Sequence, residues 1–166
     1  SLLATAADGR LVVFDRKNDV VQAFDAAGRG STPVPVPDVT ALATDPYGRV
    51  YMATKDKLLR WDASGPTVVL TLGSFGAPAG IAVDASGTVW IADRKGDRVA
   101  RWVPGTPTAV LFRDSKGAGV AALAVTGGRV IAEVRGGRGR EAGGGDVVAL
   151  EREVDPGDLI VTAAQG

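Results

Sequence analysis

Four glycines recur along this 166-residue chain at nearly constant intervals and mark an internal repeat. They are Gly9, Gly48, Gly87 and Gly128, which stand 39, 39 and 41 residues apart. Each follows a short apolar segment with a Leu-Ala or Ile-Ala pair, and a large or β-branched residue stands three positions after each glycine. A period of about 40 residues is typical of proteins built from one repeated supersecondary unit. The sequence therefore predicts four such units.

The clearest unit spans residues 80–105 and contains three short apolar segments. Two polar turns, Asp84–Gly87 and Arg94–Asp97, separate these segments, and Pro104 ends the third. Turn residues at such short intervals leave no room for a helix of useful length, and β-branched and aromatic residues favour strands. The unit therefore reads as an antiparallel meander.

A fourth, weaker strand is predicted at the end of each unit. The four segments are Ser31–Val36, Thr67–Leu72, Thr108–Phe112 and Asp158–Thr162. The first is rich in proline, which cannot donate a ladder hydrogen bond and is tolerated at a sheet edge. Four-stranded units that pack radially are β-propeller blades. We predict an all-β propeller of four four-stranded antiparallel blades, near residues 1–38, 39–78, 79–119 and 120–166, with the Leu/Ile-Ala strand innermost and aromatic residues between blades.

Composition narrows the chemistry available to the chain. It contains no cysteine and no histidine, which removes thiolate nucleophiles, cysteine-bound zinc, histidine metal ligands and imidazole acid–base catalysis. The formal net charge is +0, so no long-range field attracts nucleic acid or an anionic membrane. No apolar run is long enough to span a bilayer. We expect a non-catalytic binding module that needs no cofactor or metal.

The residues of the third unit resemble the NHL repeat. The positions that match its pattern are Asp84, Gly87, Trp90, Asp93, Arg98, Val99 and Trp102. The first unit matches nearly as well, the second less well and the fourth poorly. This resemblance implies a propeller fold and a choice of functions, because NHL propellers include protein-binding sensor domains, RNA-binding domains and occasional lyases or lactonases.

The resemblance also bears on the enzyme alternatives. Propeller lactonases hold a metal with Glu, Asn and Asp, and NHL-type lyases use histidines, whereas this chain has one asparagine, Asn18, four glutamates and no histidine. A metal-dependent lactonase or lyase would therefore need blades that this chain does not supply. An RNA-binding NHL domain is a second alternative, which requires a strongly positive face with exposed stacking aromatics. Nucleic acid is disfavoured because the aromatic residues here occupy repeating strand positions.

NHL propellers usually close with five or six blades, and four are predicted here. We expect the chain to be part of a longer ring; a compact four-bladed ring and self-association of two chains are the alternatives. The chain starts at Ser1 without an initiating Met, so we expect a processed or internal beginning. Similarity to sensor propellers of bacterial receptors implies an extracytoplasmic or secreted location, with a cytoplasmic one also open.

Turns between second and third strands gather basic residues toward one face. The ten candidates for binding a protein or a small anionic ligand are Arg16, Lys17, Lys55, Lys57, Arg94, Lys95, Arg98, Arg135, Arg138 and Arg140. Acidic residues lie among them, so solvated turns are the alternative interpretation. The opposite face, with Asp45, Tyr47 and Asp84, is the alternative site.

Recurrent aspartates in the turns invite a metal hypothesis, which we set aside. Asp8, Asp45 and Asp84 precede the turn glycines, one in each of three separate units. One carboxylate per unit does not form a cation cage, and aspartates commonly close turns by accepting hydrogen bonds from their own backbone. We expect a structural role for these three and for Asp15 and Asp93.

Overall fold

The computed structural model describes residues 1–62, 65–73, 78–93, 98–107, 109–113, 120–126, 129–134 and 146–149. Within these ranges the protein consists of β-strands, turns and loops, and no helix occurs. The described residues accordingly contain no helix that could cross a membrane.

The described strands follow one another with short connections. In chain order they are β1 (Leu2–Thr5), β2 (Leu11–Asp15), β3 (Val20–Phe24), β4 (Val34–Pro35), β5 (Ala41–Thr44), β6 (Val50–Ala53), β7 (Lys57–Asp62), β8 (Gly65–Thr71), β9 (Pro78–Val83), β10 (Val89–Asp93), β11 (Arg98–Trp102), β12 (Ala109–Arg113), β13 (Val120–Thr126), β14 (Arg129–Val134) and β15 (Asp146–Ala149).

These strands form separate antiparallel sheets in which sequence neighbours are also spatial neighbours. Blade 1 contains β1–β4, blade 2 contains β5–β8, blade 3 contains β9–β12, and β13–β15 belong to blade 4. The predicted all-β architecture of antiparallel four-stranded units is confirmed. The predicted strand at Asp158–Thr162 lies outside the described residues.

The fourth strand of blade 1 is shorter than predicted. The sequence predicts a strand over Ser31–Val36, whereas β4 covers only Val34–Pro35. It pairs with β3 as the outermost strand of its sheet. Because Pro33, Pro35 and Pro37 lack an N–H group, a longer ladder cannot form there. The edge placement was predicted correctly and the length was not.

Strands with the Leu/Ile-Ala pairs lie side by side at the inner edge of the blades. Contacts join β1 to β5, β5 to β9, and β9 to β13. Between the first two, the Thr44 hydroxyl donates a hydrogen bond to the Thr5 carbonyl oxygen at 2.5 Å. Small alanine side chains suit this position because consecutive blades converge there. The predicted innermost strand is confirmed.

Hydrophobic cores fill the spaces between consecutive blades. Between blades 1 and 2, Val12, Phe14 and Val21 pack with Val50 and Met52, all of them buried. Side chains on the two faces of a blade alternate along the strand, so blades 2 and 3 each contribute to two different cores. The result is a row of sheets joined face to face by apolar contacts.

The core between blades 2 and 3 contains an aromatic pair. The rings of Tyr51 and Trp102 are 6.3 Å apart between centroids and inclined by 74°, an edge-to-face arrangement. Both side chains are buried. Burial of the phenol raises the pKa of Tyr51 above its usual value, and within the described residues its hydroxyl has no hydrogen-bond partner. The predicted inter-blade position of Trp102 is confirmed.

Candidate functional site

Turns alternate between two faces of the blades because neighbouring strands are antiparallel. Face A carries the β2–β3 and β6–β7 turns, and on this face β10 ends and β11 begins. Face B carries the β1–β2, β5–β6 and β9–β10 turns and the β3–β4 turn. The candidate basic residues of blades 1 and 2 lie on face A: Arg16, Lys17, Lys55 and Lys57 are all exposed there.

A groove between blades 1 and 2 opens on face A. One cavity of about 450 Å³ is lined by Arg16 and Lys55 together with Asp19, Asp38 and the buried Phe14. We call this cavity the Arg16–Lys55 groove. Two residues predicted from separate repeats are thus brought to the same cavity, with apolar surface at its floor and both signs of charge around it.

A second cavity of about 430 Å³ adjoins this groove along blade 2. Lys55, Asp38 and Thr54 line it, as do Lys57 and Val68 from strands β7 and β8. Lys55 and Asp38 contribute to both cavities, so the two cavities adjoin each other. The four described basic candidates therefore share one face, and three of them line one or both of these cavities.

Two aspartates that line the groove have backbone conformations that are uncommon for residues other than glycine. Asp19 has φ +52° and Asp38 has φ +59°, in the left-handed region that aspartate tolerates better than most residues. The Val36 amide donates to the Asp19 carbonyl oxygen at 2.8 Å. This bond ties the β2–β3 turn to the end of β4. The groove rim is therefore built on fixed turns.

Ion pairing differs between the two faces. The four ion pairs among the described residues are Arg10–Asp8 at 2.7 Å, Arg29–Asp25 at 2.8 Å, Arg60–Asp62 at 3.6 Å and Arg49–Asp45. All four lie at the face B ends of their strands. None of the four described basic candidates on face A forms an ion pair with another described residue. In blades 1 and 2, face A thus presents cations that can still bind an anion, whereas the arginines in the four ion pairs of face B are already occupied.

Asp15, next to the face A arginine, is used by its own turn. Its carboxylate accepts hydrogen bonds from the Asn18 side-chain amide at 2.5 Å and from the Lys17 backbone N–H at 2.9 Å. The bond from Asn18, followed by that from Lys17, lowers the pKa of Asp15. The predicted structural role of Asp15 is confirmed, and this carboxylate does not neutralise Arg16.

Turns on face B are closed by aspartates in the manner predicted. Asp45 accepts hydrogen bonds from the backbone N–H groups of Tyr47 at 2.9 Å and Arg49 at 2.8 Å. Asp84 accepts equivalent bonds from Ser86 at 2.9 Å and Thr88 at 3.0 Å. Their roles as turn aspartates are confirmed. Among the residues that the structure describes, no group of three or more acidic side chains forms a metal cage.

Asp8 occupies a different place in its turn, which corrects the predicted equivalence. The Gly9 amide donates to the carbonyl oxygen of Ala6, as the Gly48 amide does to that of Asp45. Ala6 is therefore the counterpart of Asp45, and Asp8 is the counterpart of Tyr47. Asp8 still accepts the Arg10 backbone N–H at 3.1 Å, so its role remains structural.

Face B has a larger cavity, of about 760 Å³, which the sequence analysis did not predict. Arg10, Tyr47, Arg49 and Trp61 contribute to its lining. Tyr47 is 72% exposed, and the Arg49 guanidinium carbon lies 5.3 Å from the centre of its ring. An aromatic residue inside a turn, where blade 3 has Ser86, is the sequence signal that could have indicated this cavity.

The remaining site predictions fall largely outside the described residues. They are Arg94, Lys95, Arg135, Arg138 and Arg140. Arg98 is the first residue of β11, at the face A end of that strand. The extension of the basic face over blades 3 and 4 therefore stays a prediction.

Comparison with solved structures supports the propeller architecture. A virginiamycin B lyase from Staphylococcus aureus is similar with a TM-score of 0.68 and 18% identity, over 89% of this chain and 53% of that chain. A structure of a nidogen/laminin complex is similar with a TM-score of 0.64 and 16% identity, over 80% of this chain and 54% of that chain. The WD40 repeats of RRP9 are similar with a TM-score of 0.67 and 16% identity, over 80% of this chain and 42% of that chain. The chain therefore spans about half the length of these neighbours.

Fold and comparisons together define the class of protein. The sheets, their strand order and the propeller neighbours show that the chain has the β-propeller fold. No family model matches the chain, and no curated protein matches its sequence. The NHL likeness therefore stays a resemblance of residues. At this low sequence identity the structural neighbours are evidence for the fold alone. They include both enzymes and binding domains.

Proposed function

We propose that this propeller is a non-catalytic binding module that recognises carboxylate or phosphate groups of a protein or small ligand at the Arg16–Lys55 groove. The observation that carries the proposal is the difference in ion pairing between the faces. Each described ion pair is on face B, while Arg16 and Lys55 line a cavity in which no described acidic side chain forms an ion pair with them.

The groove combines the two properties that such recognition requires. Arg16 offers a planar guanidinium that can bind a carboxylate with two parallel hydrogen bonds, and Lys55 offers a compact ammonium. Phe14 and Val39 also line this cavity, and a concave site removes part of a ligand from water. Loops on a rigid scaffold are common recognition sites, and both groups stand on short turns of adjacent blades.

Acidic residues at the rim would restrict the ligand. Asp19 and Asp38 line the same cavity as the two cations, so a ligand with only negative groups would meet repulsion at part of the surface. A peptide is favoured over RNA, because its amide N–H groups can donate to these carboxylates. Phe14 is only 1% exposed and cannot serve as a stacking platform for bases.

Sequence chemistry supports binding over catalysis. The chain has no histidine or cysteine, the residues most often used as general base or thiol nucleophile at neutral pH. The virginiamycin B lyase among the structural neighbours is 18% identical in sequence, which transfers no activity to this chain. We propose that lactones incubated with the protein are not turned over, with or without added divalent cation.

Chemical-shift mapping of the ¹⁵N-labelled protein tests the binding proposal. Titration with an acetylated tetraglutamate peptide should shift the amides of Arg16, Asp19 and Lys55, and inorganic phosphate should shift a subset of them. The double variant Arg16→Ala/Lys55→Ala should lose these shifts. The matched control Arg29→Ala/Arg60→Ala removes the same charge from face B and should retain them. Shifts centred on Tyr47, or no shifts, would contradict the proposal.

A further inference from the structure

The face B cavity lies between blades 1 and 2, where the repeat departs from its own pattern. On the side that faces the next blade, blades 2 and 3 each carry an aromatic residue opposite an arginine. These pairs are Tyr51 with Arg60 and Trp90 with Arg101. Blade 1 has Val12 opposite Ala23 at the corresponding positions. Two small side chains therefore replace an aromatic residue and an arginine at the junction of blades 1 and 2.

The tryptophans that face these two junctions are covered to different extents. Trp102 of blade 3 packs against Tyr51 of blade 2 and is 3% exposed. Its counterpart in blade 2 is Trp61, which packs toward blade 1 and is partly exposed. Trp61 and Ala23 both line the cavity of about 760 Å³, which we call the Ala23–Trp61 cavity. Space that side chains of the protein fill beside Trp102 is thus open beside Trp61.

The indole N–H of Trp61 is available to a ligand. The other two indoles of the chain are used internally, because Trp90 donates to the Asp84 carboxylate at 3.1 Å and Trp102 to the Thr106 carbonyl oxygen at 3.0 Å. The Trp61 indole N–H has no hydrogen-bond partner among the residues that the structure describes. The cavity therefore offers an aromatic ring together with a hydrogen-bond donor.

Charges around this cavity do not favour an anion. Each of the three arginines that line it forms an ion pair with an aspartate of its own blade. The pairs are Arg10–Asp8, Arg49–Asp45 and Arg60–Asp62. Tyr47, which is 72% exposed, adds a second aromatic ring to the lining. An uncharged aromatic group suits two rings and three neutralised arginines better than a charged group does.

We propose that the Ala23–Trp61 cavity binds a tyrosine side chain of a peptide partner. The junction of blades 2 and 3 provides the arrangement, because Tyr51 meets Trp102 edge to face with the ring centroids 6.3 Å apart. A tyrosine of the partner would meet Trp61 in the same way, and its hydroxyl oxygen would accept a hydrogen bond from the indole N–H.

The size of the cavity favours a peptide over a single ring. A volume of about 760 Å³ accommodates more than one aromatic ring, so residues on either side of the tyrosine can also enter. This site lies on the face opposite to the Arg16–Lys55 groove and takes an uncharged group. It therefore goes beyond the proposed function, and either proposal can fail without the other.

Titration of the ¹⁵N-labelled chain with an acetylated and amidated pentapeptide, in which one tyrosine stands between glycines, tests the proposal. The Trp61 indole signal and the amides of Ala23 and Gly48 should shift. The same peptide with leucine in place of tyrosine should bind about tenfold more weakly, because it lacks the ring contact and the hydroxyl.

Matched variants locate the binding site. Ala23→Arg introduces the residue that blades 2 and 3 carry at this position, and it should abolish the shifts by filling the cavity. The control Gln22→Arg adds the same side chain at the neighbouring residue of β3, which faces the other side of the sheet, and should retain them. Circular dichroism should show the same strand signal for both variants and the wild type.

Three results would overturn the proposal. One is equal affinity for the tyrosine and leucine peptides, or no binding of either. Another is binding that survives Ala23→Arg in a folded variant. The third is p-cresol bound as tightly as the tyrosine peptide, which would assign the cavity to a free aromatic molecule.

A second variant decides if Ala23→Arg does not fold. Tyr47→Ala removes a ring that is 72% exposed, so the core between the blades stays intact. Its affinity for the tyrosine peptide should be about threefold weaker than that of the wild type, because one of the two aromatic contacts is lost. Unchanged affinity would count against the Ala23–Trp61 cavity as the site.

Discussion

Arg10 of blade 1 donates a hydrogen bond from its guanidinium to the carbonyl oxygen of Gly48 in blade 2, over 3.0 Å. The same guanidinium pairs with Asp8 of its own turn at 2.7 Å, so one side chain links two blades. In blade 2, Arg49 pairs with Asp45 and lies within 3.3 Å of the place where a Cβ on Gly87 of blade 3 would stand. A turn arginine that reaches the next blade is thus repeated.

Removing the first of these arginines should lower stability more than removing an arginine that serves only its own turn. Arg10→Ala should reduce the free energy of unfolding by about 1–2 kcal/mol, because it leaves a part-buried carbonyl without a charged donor. The control Arg29→Ala should cost less than about 0.5 kcal/mol, since Arg29 is 83% exposed and pairs with Asp25 of the same turn. Urea denaturation measures both, and equal losses would contradict an inter-blade role.

Alanine substitutions at two glycines distinguish the cost of backbone strain from the cost of a closer contact between blades. Gly48 has φ +80° and Gly28 has φ +79°, so alanine at either position meets the same strain, about 1–2 kcal/mol. A Cβ at Gly48 would lie 3.3 Å from the Asp8 carboxylate, whereas nothing lies within 4 Å of a Cβ at Gly28. Gly48→Ala should therefore destabilise the protein more than Gly28→Ala in thermal unfolding. The reverse order would count against this packing.

The aromatic pair between blades 2 and 3 should carry a measurable coupling energy. Trp102→Ala should cost about 3–5 kcal/mol, as large-to-small core substitutions do. A double-mutant cycle with Tyr51→Ala should give a coupling of about 0.5–1.5 kcal/mol for the edge-to-face contact. Tyr47→Ala, at a 72% exposed tyrosine, is the control and should change stability by less than about 0.5 kcal/mol. A loss that small for Trp102→Ala would place its side chain on the surface.

Asp84 should contribute a pH-dependent part of the stability. Burial raises the pKa of this carboxyl, but hydrogen bonds from the Ser86 hydroxyl, the Trp90 indole and the Thr88 backbone outweigh it and lower the pKa below 3.8. A folded-state pKa below the unfolded value stabilises the protein above the unfolded pKa, and this stabilisation is lost as the pH falls through the folded pKa.

The pH profile of unfolding checks this sign. The free energy of unfolding of the wild type should fall more steeply than that of Asp84→Asn as the pH drops from about 5 to about 2. Asp56→Asn is the control, because Asp56 is exposed and its carboxylate accepts no hydrogen bond from the described residues. Parallel profiles for the wild type and Asp84→Asn would contradict the role of this carboxylate.

The repeat made the fold predictable, because each unit carries its own turns and strands. The spacing of the glycines placed Trp102 between blades, and the prolines placed β4 at an edge. Sequence could not show that Pro33, Pro35 and Pro37 shorten that strand to two residues, since ladder length depends on which N–H groups face β3. Local sequence patterns predict the structure correctly where the residues of one repeat determine the structure of that repeat.

The candidate site was predictable only in part, because it depends on contacts between repeats. Counting charged residues is enough to predict that the turns between the second and third strands of the units are rich in basic residues. That Arg16 and Lys55 line one cavity, while Arg10 is bound to the next blade, depends on how the turns meet in space. A count of charges also does not distinguish an arginine that forms an ion pair from one that does not. The cavity beside Tyr47 was missed for the same reason.

The affinity of an acidic peptide for matched variants tests the binding proposal most directly. Fluorescence anisotropy with labelled tetraglutamate should give a Kd for Arg16→Ala/Lys55→Ala at least about tenfold weaker than that of the wild type, about 1.4 kcal/mol. The face B control Arg29→Ala/Arg60→Ala should bind within about twofold of the wild type. If the control loses affinity and Arg16→Ala/Lys55→Ala retains it, the binding face is the one that carries Tyr47.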